Sequence, residues 1–510
     1  MCRLDKNFLD LLTSGNVRIE FDNLKRAKFD VAKNKVRITP GCDCVNHTRF
    51  EEHIDRNSHD ICNFGRKGQY RFKPFMEKET PKPPFGRHEF ERARKAKKMR
   101  TLSISTIRDT IFQKLLCKPI DKHAESMFRK YIDENSYGYR KGKSSKGAVK
   151  KIRRYIKDGY VHILDGDIEQ FFDKIDHTLL EQKMSDFFGE ENKLVQRYLR
   201  KFMRVDKIPV GGSDAYKNDK TQIKKRTIGI PQGGVLSGLL ANVFLFDFDL
   251  FVTQDLMSTY EFKYLRYADD FVLMFKDDRH IVEVFGLLEK YLANEKLTLH
   301  PLPTGQRESN RKYSEKLNLS AAGKESLDFL GFEISSRFLQ VKDDNLKKFK
   351  KKIVKIVNDS YDKWIKNNQP LFLPAFFTDV VNEINKKITG LEDSIEHEDG
   401  LCPHCKKLIA KRSWIGYFMM IDDVRQLRNI DRTIRAEIAR SYRIKSNGHH
   451  LTRKEFSKYT HRLKSVVDTY YVYKKQIKRH RKNGYCCYDK HRYYDESKQL
   501  LVTPPHGKDA

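Results

Sequence analysis

The chain has 510 residues, 39% of them hydrophobic, and carries 101 Lys plus Arg against 69 Asp plus Glu, a formal net charge of +32. That length buries a sizeable core and usually more than one domain, and the charge is a footprint for polyanions, nucleic acid first among them. No 18-residue apolar run offers a membrane span, and Asp5 and Asp10 interrupt any N-terminal apolar leader, so a cytoplasmic protein with no membrane partner is expected.

Residues 1–69 read as a basic extension in which Cys42, Cys44, His47, His59 and Cys62 have metal-like spacing. Zinc suits such ligands, as it would suit Cys402-Pro403-His404-Cys405 further on. Neither cluster has two clean CxxC halves, so free or partly buried thiols are the favoured reading. Thr80 to Gly86 reads as a stiff, turn-rich insertion. Lys98 to Ile104 and Ser136 to Ser144 follow, with Lys98, Arg100 and Arg140 among their cations.

His162 to Ile168 predicts a short buried strand with Asp167 near its C-terminal end, where a carboxylate is costly unless paired or metal-bound. Next come Phe171-Phe172-Asp173 and Ile175-Asp176-His177, then Gly229-Ile230-Pro231-Gln232-Gly233-Gly234 ahead of the apolar segment Leu236 to Val252. Two β-type runs, Phe262 to Leu265 and Phe271 to Phe275, flank Tyr267-Ala268-Asp269-Asp270. Adjacent carboxylates repel each other at a hairpin tip, where turn chemistry prefers Asn-Gly or Asp-Gly. A hard divalent cation in front of them is the functional reading, and a solvated acidic turn is the plain one.

In this order the segments resemble the reverse transcriptases of the bacterial group II intron-like lineage. Asp167 to His177 looks like motif A, the Gly229 segment like motif B, Tyr267 to Asp270 like motif C, and Phe329-Leu330-Gly331-Phe332 like the primer-grip hairpin. The resemblance implies an α+β right-hand polymerase with an antiparallel palm sheet. Fingers and palm fall over 70–340, a helical thumb over 341–473 with an insertion near 390–411, and a basic tail over 474–510. From Asn345 the apolar residues Leu346, Phe349, Ile353, Val357 and Tyr361 recur at helical steps with lysines between them, as such a thumb requires.

The activity implied is RNA-directed DNA synthesis from dNTPs with two Mg²⁺ ions. Asp167 and Asp269 would bridge the ions, Asp270 would complete the acidic cluster, and the Ile168 carbonyl would add a ligand. Lys98, Arg100 and Arg140 would hold the triphosphate, Gln232 and Gly233 would contact the incoming nucleotide, and Phe172 would lie beneath its sugar and exclude a 2′-hydroxyl. Each has a plain alternative: surface charge for the cations, core packing for Phe172, a helix entry for the glycines. Asp165 and Asp173 read first as a strand-edge charge and a helix-start residue.

Two departures from the lineage stand out. Lys141 replaces a proline, and Pro303 stands where L-N-x-E-K-T has the lysine that protonates the leaving pyrophosphate. That proton must come from His300, Lys312, water, or not at all. The chain carries no HNH endonuclease pattern and looks most like the free-standing reverse transcriptases of antiviral defence. Their implied partners are a structured noncoding RNA as template or scaffold and its cDNA product, with a homo-oligomer or a second defence protein left open. A retron- or intron-type enzyme and a maturase-like RNA-binding protein are the alternatives.

Overall fold

The computed structural model describes residues 3–30, 35–82, 85, 89–96, 98–211, 222–303, 312–320, 325–366, 373–389, 414–472, 494–495 and 500–501. Its contacts divide the chain into two compact units, residues 1–148 with 154–320, and residues 149–153 with 321–510. Among the described residues no helix is long and apolar enough to cross a membrane.

The first unit opens with helices α1 (Arg3–Leu11), α2 (Ser14–Ala27) and α3 (Ile54–Arg66). Leu4, Phe8 and Leu12, then Val17, Phe21 and Leu24, fall at three- to five-residue steps and are all buried, so residues read as an extension contribute core. Strand β1 (Phe75–Pro81) pairs antiparallel with β2 (Met99–Ile104). Thr80 and Pro81, expected to begin a turn-rich insertion, instead end β1; a proline tolerates the last place of a strand, where few ladder bonds are lost. Helix α4 (Ile107–Tyr131) follows, its first turn closed by Thr106, whose hydroxyl accepts from the Asp109 N–H at 3.0 Å.

The central sheet is built from β3 (His162–Asp167) and, further along the chain, a hairpin and a last short strand. Between them lie α5 (His177–Phe188), α6 (Lys193–Met203), β4 (Lys207–Ile208), which runs parallel to β1, and α7 (Ser237–Phe244). Asp5 reaches across to α6, its carboxylate accepting from the N–H groups of Leu194 at 3.0 Å and Val195 at 2.9 Å. An acidic group there satisfies orphan donors and complements the helix dipole. Strands β5 (Phe262–Tyr267) and β6 (Asp270–Phe275) form the hairpin, α8 (Ile281–Asn294) follows, and β7 (Glu315–Asn318) closes a four-stranded antiparallel sheet of order β5-β6-β3-β7. Its register sets Asp167 opposite Asp270, and Asp270 opposite Tyr267. The carboxylates meet because the strands hold this register, and a slip of one residue would turn one of the two to the opposite face.

The second unit begins with the meander β8 (Leu327–Phe329), β9 (Phe332–Ile334) and β10 (Leu339–Val341). Its first turn has positive φ at both central residues, Leu330 at 50° and Gly331 at 84°, as a two-residue hairpin of this hand requires. Helices α9 (Asp343–Lys366), α10 (Leu373–Thr389) and α11 (Val424–Lys445) are its long helices, with Phe349, Ile353 and Val357 of α9 buried at the expected spacing. The Trp414 ring stacks on Phe349 at 4.5 Å. Cys402, Cys405 and the basic stretch 474–492 lie outside the described residues.

Candidate active site

The hairpin tip is strained and held from below. Ala268, the first central residue of the turn, has φ of +61°, a left-handed conformation that costs an alanine about 1–2 kcal/mol. Arg266 holds it there. This guanidinium is fully buried and donates to the Ala268 carbonyl at 2.8 Å, to the Asn242 side chain at 3.0 Å and to both oxygens of Asp249, the Nε–Oδ1 distance being 2.8 Å. The Tyr264 hydroxyl also donates to Asp249, at 2.7 Å. Gly138 backs the turn so closely that a Cβ there would stand 2.2 Å from the Ala268 nitrogen, so only glycine fits.

Above this anchor the sheet brings Asp167, Asp269 and Asp270 together. Burial, reinforced by Asp269 and Asp167, pushes the Asp270 carboxyl up to about 8. Burial also raises Asp269, with Asp167 adding and Lys312 opposing. Carboxyls that repel one another in a poorly solvated place favour protonation or a cation. Two side chains reach Asp167: Lys312 Nζ lies 2.6 Å and His300 Nε2 3.2 Å from its Oδ2. His300 is held in place by its own N–H, which donates to the Asp167 carbonyl at 3.0 Å. Burial lowers its imidazole pKa against the pull of Asp167 and Glu169.

Ile168 is buried and bridges to Leu299 beside this cluster. With Asp167 engaged by Lys312 and Asp270 hydrogen-bonded to Asp167, no three His, Cys, Asp or Glu side chains among the described residues stand in a metal-ligating arrangement. By chemistry the aspartate trio is nonetheless a hard-oxygen donor set of the kind Mg²⁺ takes.

The expected nucleotide contacts divide. Phe172 is half-buried beside the cluster, its ring 5.5 Å from Phe171. Its carbonyl accepts from Ile230 N at 2.8 Å, which ties motif A to motif B. Gln232 is tied to the fingers strand, its carbonyl accepting from Ser103 N at 2.7 Å, and Gly233 adopts φ of +98°, open to glycine. Lys98 and Arg100 are exposed. Arg140 is a correction: its guanidinium is buried, paired with Glu125 at 2.9 Å and Asp133 at 3.1 Å, and donates to the Ser136 carbonyl at 2.9 Å. A side chain so saturated has no donor turned to a triphosphate. Its neighbour is hidden in sequence, since nothing local distinguishes a buried arginine from the surface cations of a basic chain.

The N-terminal Cys and His residues, for which zinc is the less favoured reading, lie on different elements. Cys42 is buried while Cys44 and His59 are exposed, and no metal-ligating group forms among the described residues. His59 and Cys62 sit one turn apart on α3, whose Ile61 and Gly65 face the core, while Cys42 and Cys44 lie in a loop earlier in the chain. Sequence reasoning missed the Asp249–Arg266 pair, since the two lie 17 positions apart across a helix end, and it missed Arg226, which lies 3.3 Å from Glu77.

Comparison with known proteins identifies the kind of domain. Residues 81–334 match the family model described as reverse transcriptase (RNA-dependent DNA polymerase). Protein YkfC of Escherichia coli K12 is 25% identical over 288 residues, 49% of this chain and 68% of that protein. Group II intron-encoded protein LtrA of Lactococcus lactis is 32% identical over 163 residues, 31% of this chain and 24% of LtrA. A telomerase structure from Candida albicans, 13% identical, covers 81% of this chain and 66% of its own, with a TM-score of 0.39. The chain spans only part of the length of these relatives. It carries an RNA-directed DNA polymerase domain with intron-encoded relatives, and its antiparallel sheet and helices are the α+β architecture of right-hand polymerases.

Proposed function

We propose that the chain is a reverse transcriptase that joins deoxynucleotides on an RNA template, with Asp167, Asp269 and Asp270 as its catalytic carboxylates. The observation that carries this reading is the convergence of the three at one end of the central sheet, with Asp269 and Asp270 pushed up by burial and repulsion within the trio. The trio would hold two Mg²⁺ ions, with Ile168 supplying a carbonyl. When bound, such ions acidify the attacking 3′-hydroxyl and neutralise the leaving pyrophosphate. Lys98 and Arg100 draw the triphosphate in, and Gln232 and Gly233 bring backbone close to the nucleotide. Phe172 bars a 2′-hydroxyl by leaving it no partner. With Pro303 unable to donate a proton, His300 and Lys312, the two groups beside Asp167, serve the leaving group. Primer extension on an RNA template tests this: incorporation of dNTPs that stops on chelation is expected, and no incorporation under any divalent ion would end the reading.

The finer reading is anti-phage defence, in which a structured noncoding RNA serves as scaffold and template. Its support is the resemblance to free-standing defence enzymes and the net charge of +32, which favours a large RNA surface. The similarity to LtrA favours an intron-type enzyme as the second reading. Sequencing the RNA and DNA that copurify decides between them: one enriched noncoding RNA with its cDNA supports defence, an intron RNA supports the second, and random cellular RNA contradicts both.

A further inference from the structure

Tyr139 carries a cost that its own packing does not explain. Its φ is +54°, a region that an aromatic residue enters at roughly 1–3 kcal/mol, yet the residue remains 54% exposed. The chain on either side prevents relaxation. Gly138 is pressed against the Ala268 backbone and its carbonyl accepts from the Asn242 side chain at 2.8 Å, while Arg140 is locked among Glu125 and Asp133. Space has been left for the ring: a Cβ on Gly238, at the start of α7, would stand 2.5 Å from its Cγ. The ring meets Phe172 edge to face, centroids 6.1 Å apart at 88°. Its hydroxyl lies within electrostatic reach of Asp269, Asp270 and Arg100, so it stands among the groups assigned to the reacting atoms and to the triphosphate.

We infer that Tyr139 is a specificity-determining residue for the sugar of the incoming nucleotide: its ring and that of Phe172 form an aromatic corner against which the deoxyribose rests. The inference depends on the polymerase reading above. Phe172 alone is a floor. With Tyr139 as a wall at right angles to it, a sugar is confined in two directions, and a 2′-hydroxyl meets apolar carbon in both. The left-handed backbone is what aims the ring across the site, since a residue relaxed to negative φ would turn it away.

The test compares kcat and KM for dNTPs and rNTPs in the wild type, Tyr139→Gly and Tyr139→Phe. Glycine removes the ring and the strain together, so Tm is expected not to fall. KM for dNTPs should rise, and the dNTP-to-rNTP ratio of kcat/KM should drop on the order of tenfold. Phenylalanine keeps the ring and should keep the ratio. If the glycine variant does not fold, Tyr139→Asn, which tolerates the same backbone, is read in its place. An active wild type whose ratio is unchanged without the ring overturns this inference alone, as does loss of the ratio in Tyr139→Phe. A wild type that incorporates neither nucleotide overturns the polymerase reading and the inference with it.

Discussion

Asp249, on the short helix Phe246–Leu250, and Asp270, at the hairpin tip, are handled in opposite ways. Asp249 is fully buried and receives Arg266 and Tyr264, so its charge is settled within the chain. Asp270 is turned toward Asp167 and Asp269, and burial with those two neighbours pushes its carboxyl to about 8. Between them stands Asp109, buried with the Tyr70 hydroxyl at 2.8 Å, the Thr106 hydroxyl at 2.8 Å and the Lys73 N–H at 3.1 Å, all neutral donors. A buried carboxylate given its counter-charge serves the fold, whereas carboxylates buried against each other keep their demand for a cation, which is the mark of a site.

The comparison breaks most visibly at Arg266. Arg266→Met strands Asp249 in the core and removes the donor that holds the Ala268 carbonyl, so urea unfolding should show a loss of about 3–5 kcal/mol. A loss below about 1 kcal/mol would mean that the pair does not anchor the turn.

Asp109 sharpens the intermediate case through pH. Burial raises its carboxyl to about 6, above the ordinary value near 4, so the stability tied to its protonated form is complete below about pH 4 and is lost as pH climbs through about 6. Asp109→Asn should flatten that fall, worth up to about 3 kcal/mol between pH 4 and pH 8. An unchanged pH profile in thermal melts would show that its three donors already stabilise the charge.

Arg140 tests whether a saturated cation is structural. Arg140→Lys gives up the fork that serves Glu125, Asp133 and the Ser136 carbonyl together, and should cost about 2 kcal/mol with KM for dNTPs unchanged. A raised KM at normal stability would restore a triphosphate role. The smallest effect is at Asp270. In Mg²⁺-free buffer above its raised pKa of about 8, where Asp270 is ionised, Asp270→Asn removes a like charge from the trio and should raise stability by about 1 kcal/mol, the opposite sign to a change at Asp249. Destabilisation on the same scale would mean that the trio is satisfied internally.

How much of this was legible in sequence follows from the range over which each feature is fixed. The hairpin, the Asp167 strand and the α9 periodicity are local, and Phe262–Tyr267, Asp270–Phe275, His162–Asp167 and Asp343–Lys366 lie where short apolar runs and helical spacing place them. Asp249 with Arg266, and Lys312 with Asp167, are contacts between residues of different elements far apart along the chain, which no local pattern encodes. Arg140 was misread because burial, not residue type, decides whether an arginine faces a ligand. The N-terminal helices were readable in principle: Leu4, Phe8 and Leu12, with Val17, Phe21 and Leu24, carry a helical stripe that the cysteines and basic residues of 1–69 obscured.

The central claim is that Asp167, Asp269 and Asp270 act as one catalytic cluster. Its most direct test is single-turnover dNTP incorporation on a primed RNA template by Asp269→Asn, with RNA affinity measured in parallel. The account predicts unaltered RNA binding and Mg²⁺-dependent incorporation reduced by several orders of magnitude, because the lost carboxylate acts where charge develops. Incorporation within about tenfold of wild type, a difference of only ~1.4 kcal/mol, would contradict it.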